Sequence, residues 1–130
     1  MERYIKYIII FLTMIAFNSF ALTPVEYRAI LQVAQRHELT PTETALLLAI
    51  RRCEAGRAGL EFGVAQDNPG HPARQYAHAP MMSLTVQASY AARIIKRKYN
   101  GDLHRLAKTY CPYNAEVWAR NVKFWWRIYY

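Results

Sequence analysis

The chain has 130 residues, 53% of them hydrophobic and 14% aromatic, which is enough to fill one core and too little to fill two. Seventeen Lys and Arg against nine Asp and Glu give a formal charge of +8. This composition excludes a disordered acidic chain, a collagen-like repeat and a low-complexity sequence. The charge predicts an anionic partner, and its long-range field by itself does not choose among nucleic acid, an anionic membrane surface and a cell-wall polymer.

The N-terminus narrows the choice. Arg3 and Lys6 precede an apolar run from Tyr7 to Phe17, and Ser19 and Ala21 place small residues at the −3 and −1 positions of a signal-peptidase site. Residues 1–21 therefore read as an export signal and residues 22–130 as the mature domain. The run falls short of the roughly 20 apolar residues that a membrane-spanning anchor needs. Without residues 1–21 the chain keeps 15 basic and 8 acidic side chains, so the charge belongs to the domain itself. Export to the periplasm or beyond argues against a nucleic-acid partner and leaves cell-wall polymer or an anionic envelope surface. In an oxidising compartment Cys53 and Cys111 are expected to pair, closing a loop worth about 4 kcal/mol in the chain-entropy picture. A nucleophilic thiol served by His37, His71, His78 or His104 lacks a local signature, and no ligand spacing predicts a metal or other cofactor.

In chain order, Thr23-Pro24-Val25-Glu26 and Thr40-Pro41-Thr42-Glu43 each place Thr at N-cap, Pro at N1 and Glu at N3, so they predict two helix starts. The first helix, about 24–37, carries Tyr27, Ile30, Leu31 and Ala34 on one stripe. The second, about 41–55, is apolar on all sides from Ala45 to Ile50 and is predicted to be the buried central helix, with Gly56 as its left-handed stop. Residues 61–64 predict a small β or turn element, and the Pro-, Gly- and His-rich stretch after them is long enough to border a site. A third helix, about 84–99, directs Val86, Tyr90, Ala91, Ile94 and Ile95 inward and ends at Asn100-Gly101. Asp102 caps a fourth helix to Tyr110. Asn114 caps a fifth through Val117, Trp118, Val122 and Trp125; its three tryptophans could stack on sugar rings, but at helical spacing Trp118 and Trp125 read as core and only Trp126 falls off the stripe.

The chemistry concentrates at Cys53-Glu54-Ala55-Gly56-Arg57. A carboxyl on the last turn of an apolar helix meets the negative end of the helix dipole and poor solvation, and both favour its protonated form. A protonated Glu at neutral pH is the general acid that glycoside cleavage requires. The plainer alternative is a solvated Glu paired with Arg51 or Arg57.

The stretch Ala49-Ile50-Arg51-Arg52-Cys53-Glu54-Ala55-Gly56-Arg57-Ala58-Gly59-Leu60-Glu61-Phe62-Gly63-Val64 resembles the helix-ending catalytic Glu and following turn of the lysozyme-like superfamily, in its soluble-lytic-transglycosylase type. The stretch Leu106-Ala107-Lys108-Thr109-Tyr110-Cys111-Pro112-Tyr113-Asn114-Ala115, with Trp118, Asn121 and Val122, is similar to the region bearing that family's active-site tyrosine. The usual Gly-Leu-Met-Gln signature is absent, and Glu61-Phe62-Gly63-Val64 stands in its place. The resemblance implies a mainly α, lysozyme-like domain, acting as a monomer on peptidoglycan glycan strands at the β-1,4 bond between N-acetylmuramic acid and N-acetylglucosamine. It makes Glu54 the catalytic acid and base, hydrogen-bonded by Tyr110 or Tyr113. Glu61, Phe62, Tyr113 and Asn114 are expected on the substrate side of the groove, and Gln87, at the start of the third helix, either faces that cleft or is solvated as a helix-terminal Gln ordinarily is.

Glu61 and Asp67 are the nearest second carboxylates, but the preferred reading is structural: Glu61 hydrogen-bonds a turn, and Asp67-Asn68-Pro69-Gly70 is turn chemistry. The Arg51-Arg52-Arg57 cluster predicts either attraction to wall polymer or a solvated face. Three functions of different class remain open: a transglycosylase or a hydrolytic lysozyme of the same fold, a wall-binding module without turnover, and a cationic membrane-active protein using its basic, Trp-rich end.

Overall fold

The computed structural model describes residues 22–130. The predicted export signal, residues 1–21, lies outside the described residues. The chain is mainly α-helical. Helix α1 spans Pro24–Arg36, α2 Pro41–Glu54, α3 Pro80–Lys98, α4 Leu103–Tyr110 and α5 Ala115–Tyr129, with a 3-10 turn at Pro72–Arg74. No described helix is long and apolar enough to cross a membrane.

The two Thr-Pro starts form as the sequence requires. Thr23 Oγ1 accepts from the Glu26 N–H at 3.1 Å, and Thr40 and Glu43 complete a reciprocal capping box. Helix α2 is the centre of the domain: Ala45 through Arg51 are all buried, and α5 packs along it more extensively than any other helix pair in the fold. Helix α1 lies on α3, and α4 is held against α5. The stripe of α1 is turned slightly from the sequence expectation, since Ile30, Val33 and Ala34 are buried while Tyr27 stays exposed and Leu31 half-buried.

Helix α3 departs from the sequence reading. Helix α3 begins a turn early, at Pro80, because Ala79 supplies no side-chain cap that would mark the start. Its inward face also differs. Ser83, Leu84, Gln87, Ala88, Ala91, Ala92 and Ile95 are buried, while Val86, Tyr90 and Ile94 are only half-buried. The segment between α2 and α3 folds as a series of turns with no strand among the described residues. Of the small β or turn element predicted for residues 61–64, the turn form is the one present.

This segment is pinned from inside. Arg51 donates to the carbonyls of Gly56 at 3.0 Å and Glu61 at 3.2 Å. Gln87 Nε2 donates to those of Gly59 at 2.8 Å and Ala73 at 3.0 Å. Buried carbonyls that a β-ladder would pair are thus satisfied by two side chains.

Helix α2 ends on Ala55, at φ 45° and ψ 30°, and not on Gly56. Gly56 serves a different need: a Cβ there would sit 1.7 Å from the carbonyl oxygen of Leu60, so the turn closes only over a bare backbone. The left-handed Ala55 is strained relative to glycine. Ala55→Gly is accordingly expected to stabilise the protein by about 0.5–1 kcal/mol, read as a raised Tm or denaturant midpoint with unchanged m-value.

Candidate active site

Glu54 is the last residue of α2, half-buried, with α5 alongside. Its Oε1 accepts a hydrogen bond from Trp118 Nε1 at 2.8 Å. Trp118 is buried on the core stripe of α5, and its ring stacks on Tyr110, with centroids 4.8 Å apart and planes at 15°. Gly63, at φ 67°, approaches so closely that a Cβ there would lie 2.7 Å from the Glu54 carboxyl carbon. Any larger residue at 63 collides with the carboxyl as well as adopting a disfavoured backbone.

Burial pushes the Glu54 carboxyl above its ordinary range, and the Trp118 N–H pulls it partly back. No basic side chain neutralises it by ion pairing among the described residues. The solvated, Arg-paired glutamate is therefore not what the fold builds. Arg51 lies 3.5 Å from Glu26, Arg52 stacks 4.0 Å over Trp125, and Arg57 is exposed. The three arginines do not form one surface cluster.

Tyr110 ends α4 next to this pair. Its hydroxyl is buried with no hydrogen-bond partner, and burial with the nearby Glu54 charge holds it well above the usual phenol range. The indole of Trp118, not Tyr110, is thus the group bonded to Glu54. Tyr113, the other candidate, is 98% exposed and lies out of contact with the carboxyl.

Gly63 and Tyr110 also line a cleft of about 340 Å³, with Val64, Asp67, Asn68 and Ile94 among its other walls. Of the two second-carboxylate candidates, Asp67 is exposed on this cleft and Glu61 is not. Glu61 is buried, and Ser83 Oγ lies 2.8 and 2.9 Å from its two oxygens. The Gly59 N–H also points at it. Burial raises the Glu61 carboxyl, while Ser83, Gly59 and the Arg51 charge oppose the shift.

The substrate-facing set is likewise corrected. Glu61, Phe62 and Gln87 are 4%, 0% and 0% exposed. They have no surface to offer a sugar, and they hold the turn segment together. Asn114 is the half-buried N-cap residue of α5. Cys53, inside the last turn of α2, and Cys111, just after α4, are both free thiols in this structure, where the sequence predicts a bridge. Burial, with the Glu54 and Cys111 charges adding to it, pushes the Cys53 thiol up to about 12, which makes it a poor nucleophile at neutral pH.

Trp118 is the member of the site that sequence reasoning missed, since at helical spacing it reads as core. The signal was available in its chemistry: a buried indole N–H needs an acceptor. Trp118→Phe keeps the stack on Tyr110 and removes the donor. It is expected to raise the Glu54 pKa further, so the alkaline limb of any activity that needs protonated Glu54 shifts to higher pH, as a pH–rate profile would record. No family model, curated protein or solved structure compared with the chain matches it.

Proposed function

We propose that the chain is an exported peptidoglycan-cleaving glycosidase of the lysozyme-like type, working as a lytic transglycosylase with Glu54 as its acid and base. The observation that carries this reading is a carboxyl without an ion-pair partner, pushed toward its protonated form at the end of a buried helix. It lies against a residue that lines an open cleft.

In this mechanism protonated Glu54 donates to the glycosidic oxygen as the bond from C1 to that oxygen breaks, which leaves an oxocarbenium-like muramoyl ring and a Glu54 carboxylate. The carboxylate then takes the proton of the ring's own 6-hydroxyl as that oxygen bonds to C1. The product is a 1,6-anhydro end, and Glu54 is protonated again. One carboxyl completes the cycle. Trp118 holds the oxygen that does not carry the proton, and Tyr110, whose hydroxyl is buried, supports the Trp118 indole by stacking on it. Export also implies a Cys53–Cys111 bridge, which would tie the residue before Glu54 to the residue after Tyr110.

A second reading is favoured by one observation. Asp67 on the cleft wall is a carboxylate able to activate water, which would make the enzyme a hydrolytic lysozyme. Release of soluble fragments from purified wall, measured beside co-sedimentation with that wall, tests the enzyme class. Release supports a glycosidase. Co-sedimentation without release makes the chain a wall-binding module.

A further inference from the structure

Helix α5 presents an outer face that no described element covers. Phe124 and Ile128, one turn apart on this face, are 54% and 60% exposed. Arg120 stands one turn before Phe124 in the same row, and Lys123 and Arg127 form the neighbouring row, all three exposed. Beside the second row a cavity of about 380 Å³ is walled by Thr42, Lys123, Trp126, Arg127 and Tyr130. The Trp126 indole is fixed there by its N–H to the Thr42 carbonyl at 3.1 Å and by the edges of Tyr99 and Tyr130. The nearest acidic groups do not cancel these cations. Glu43 is bonded to Lys96 at 3.1 Å, and Glu116 lies at the start of the helix, a turn before Arg120.

We propose that this face docks the protein on an anionic lipid bilayer. Phe124 and Ile128 enter the headgroup boundary, Lys123 and Arg127 meet lipid phosphates, and Trp126 and Tyr130 lie at the interfacial level that indole and phenol rings favour. Charge complementarity selects this occupant. A second copy of the chain would bring two cationic rows against each other. A glycan strand would gain no hydrogen bond from Phe124 or Ile128. The face stands on α5 beside the N-terminal end of α2, whereas Glu54 is at the other end of that helix, about 18 Å away at 1.5 Å per residue. The proposal does not depend on the chemistry assigned to Glu54.

The test is co-sedimentation of the full chain with vesicles of phosphatidylcholine alone or mixed with phosphatidylglycerol. The expected result is binding to the anionic vesicles at least tenfold tighter than to the neutral ones, weakened by salt. Phe124→Ser with Ile128→Ser, and separately Lys123→Glu with Arg127→Glu, should each weaken binding at least tenfold. Arg28→Glu with Arg57→Glu, an equal charge change at the other end of α2, should have a much smaller effect. Far-UV circular dichroism checks the fold of each, and single substitutions Ile128→Ser and Arg127→Glu decide where a pair does not fold. Both face variants binding like the parent would overturn the proposal, because residues 1–21 or net charge would then carry the binding. It would be overturned equally by no preference for anionic vesicles, by a dimer that the Phe124→Ser change dissolves, or by loss of wall retention in the face variants without vesicle binding by the parent.

Discussion

Glu54→Gln is expected to lower wall cleavage by roughly 10²–10⁴-fold while leaving wall binding and helix content unchanged, because the amide keeps the shape of the carboxyl and loses its transferable proton. The amide oxygen can still accept the Trp118 N–H, so the stack of Trp118 on Tyr110 survives. The same substitution carries a stability signature of defined sign. Burial raises the Glu54 pKa above its ordinary value of 4.5, so the folded state binds this proton more tightly than the unfolded state. The stabilisation from that proton is complete below pH 4.5 and is lost as pH rises through the folded pKa. Glu54→Gln, which never ionises, should therefore match the parent at acidic pH and exceed it at neutral pH, as denaturant midpoints across that range would show. A variant less stable than the parent at pH 7 would mean that the carboxylate is held by groups beyond Trp118.

The largest effect on stability is expected from Arg51→Ala. Arg51 is 3% exposed, lies 3.5 Å from Glu26, and donates to the carbonyls of Gly56 and Glu61. Its removal leaves a partly buried carboxylate and two carbonyls without their donor, a class of change that costs about 3–5 kcal/mol. For a domain of this size that is a fall in Tm on the order of 15 °C or more. Arg57→Ala, at an exposed arginine six residues on, should stay within about 0.5 kcal/mol of the parent. Because Arg51 fixes the turn segment that carries Gly63, Arg51→Ala should also impair cleavage wherever the protein remains folded.

The sequence was most readable where local chemistry decides the outcome. Thr-Pro-x-Glu at 23–26 and 40–43, Asp102, and Asn100-Gly101 each satisfy or terminate a helix end with their own atoms, and the structure places those ends as expected. The all-round apolar run Ala45–Ile50 leaves a central helix little choice but burial. Readability failed where a distant partner decides. Gln87 reads as cleft-facing or solvated, yet it and Ser83 are wholly buried because the turn segment across from them holds backbone groups and a carboxyl that need hydrogen-bond partners. That partnership spans more than twenty residues and has no local pattern. For Glu61 the turn-bonding alternative is the one that holds, since the Gly59 N–H and Ser83 engage its carboxyl and keep it out of the cleft. Glu54 was found because its helix end and apolar approach are local. Trp118, 64 residues further on, became visible only when α5 was laid along α2.

The most direct measurement of the central claim is the mass of the muramoyl ends released when the protein digests purified wall. Cleavage with Glu54 as sole acid and base predicts ends lighter by one water than hydrolysed ones, absent with Glu54→Gln and retained with Asp67→Asn. Hydrolysed ends that vanish with Asp67→Asn would contradict the single-carboxylate mechanism, and cleavage that persists in Glu54→Gln would contradict the assignment of the site itself.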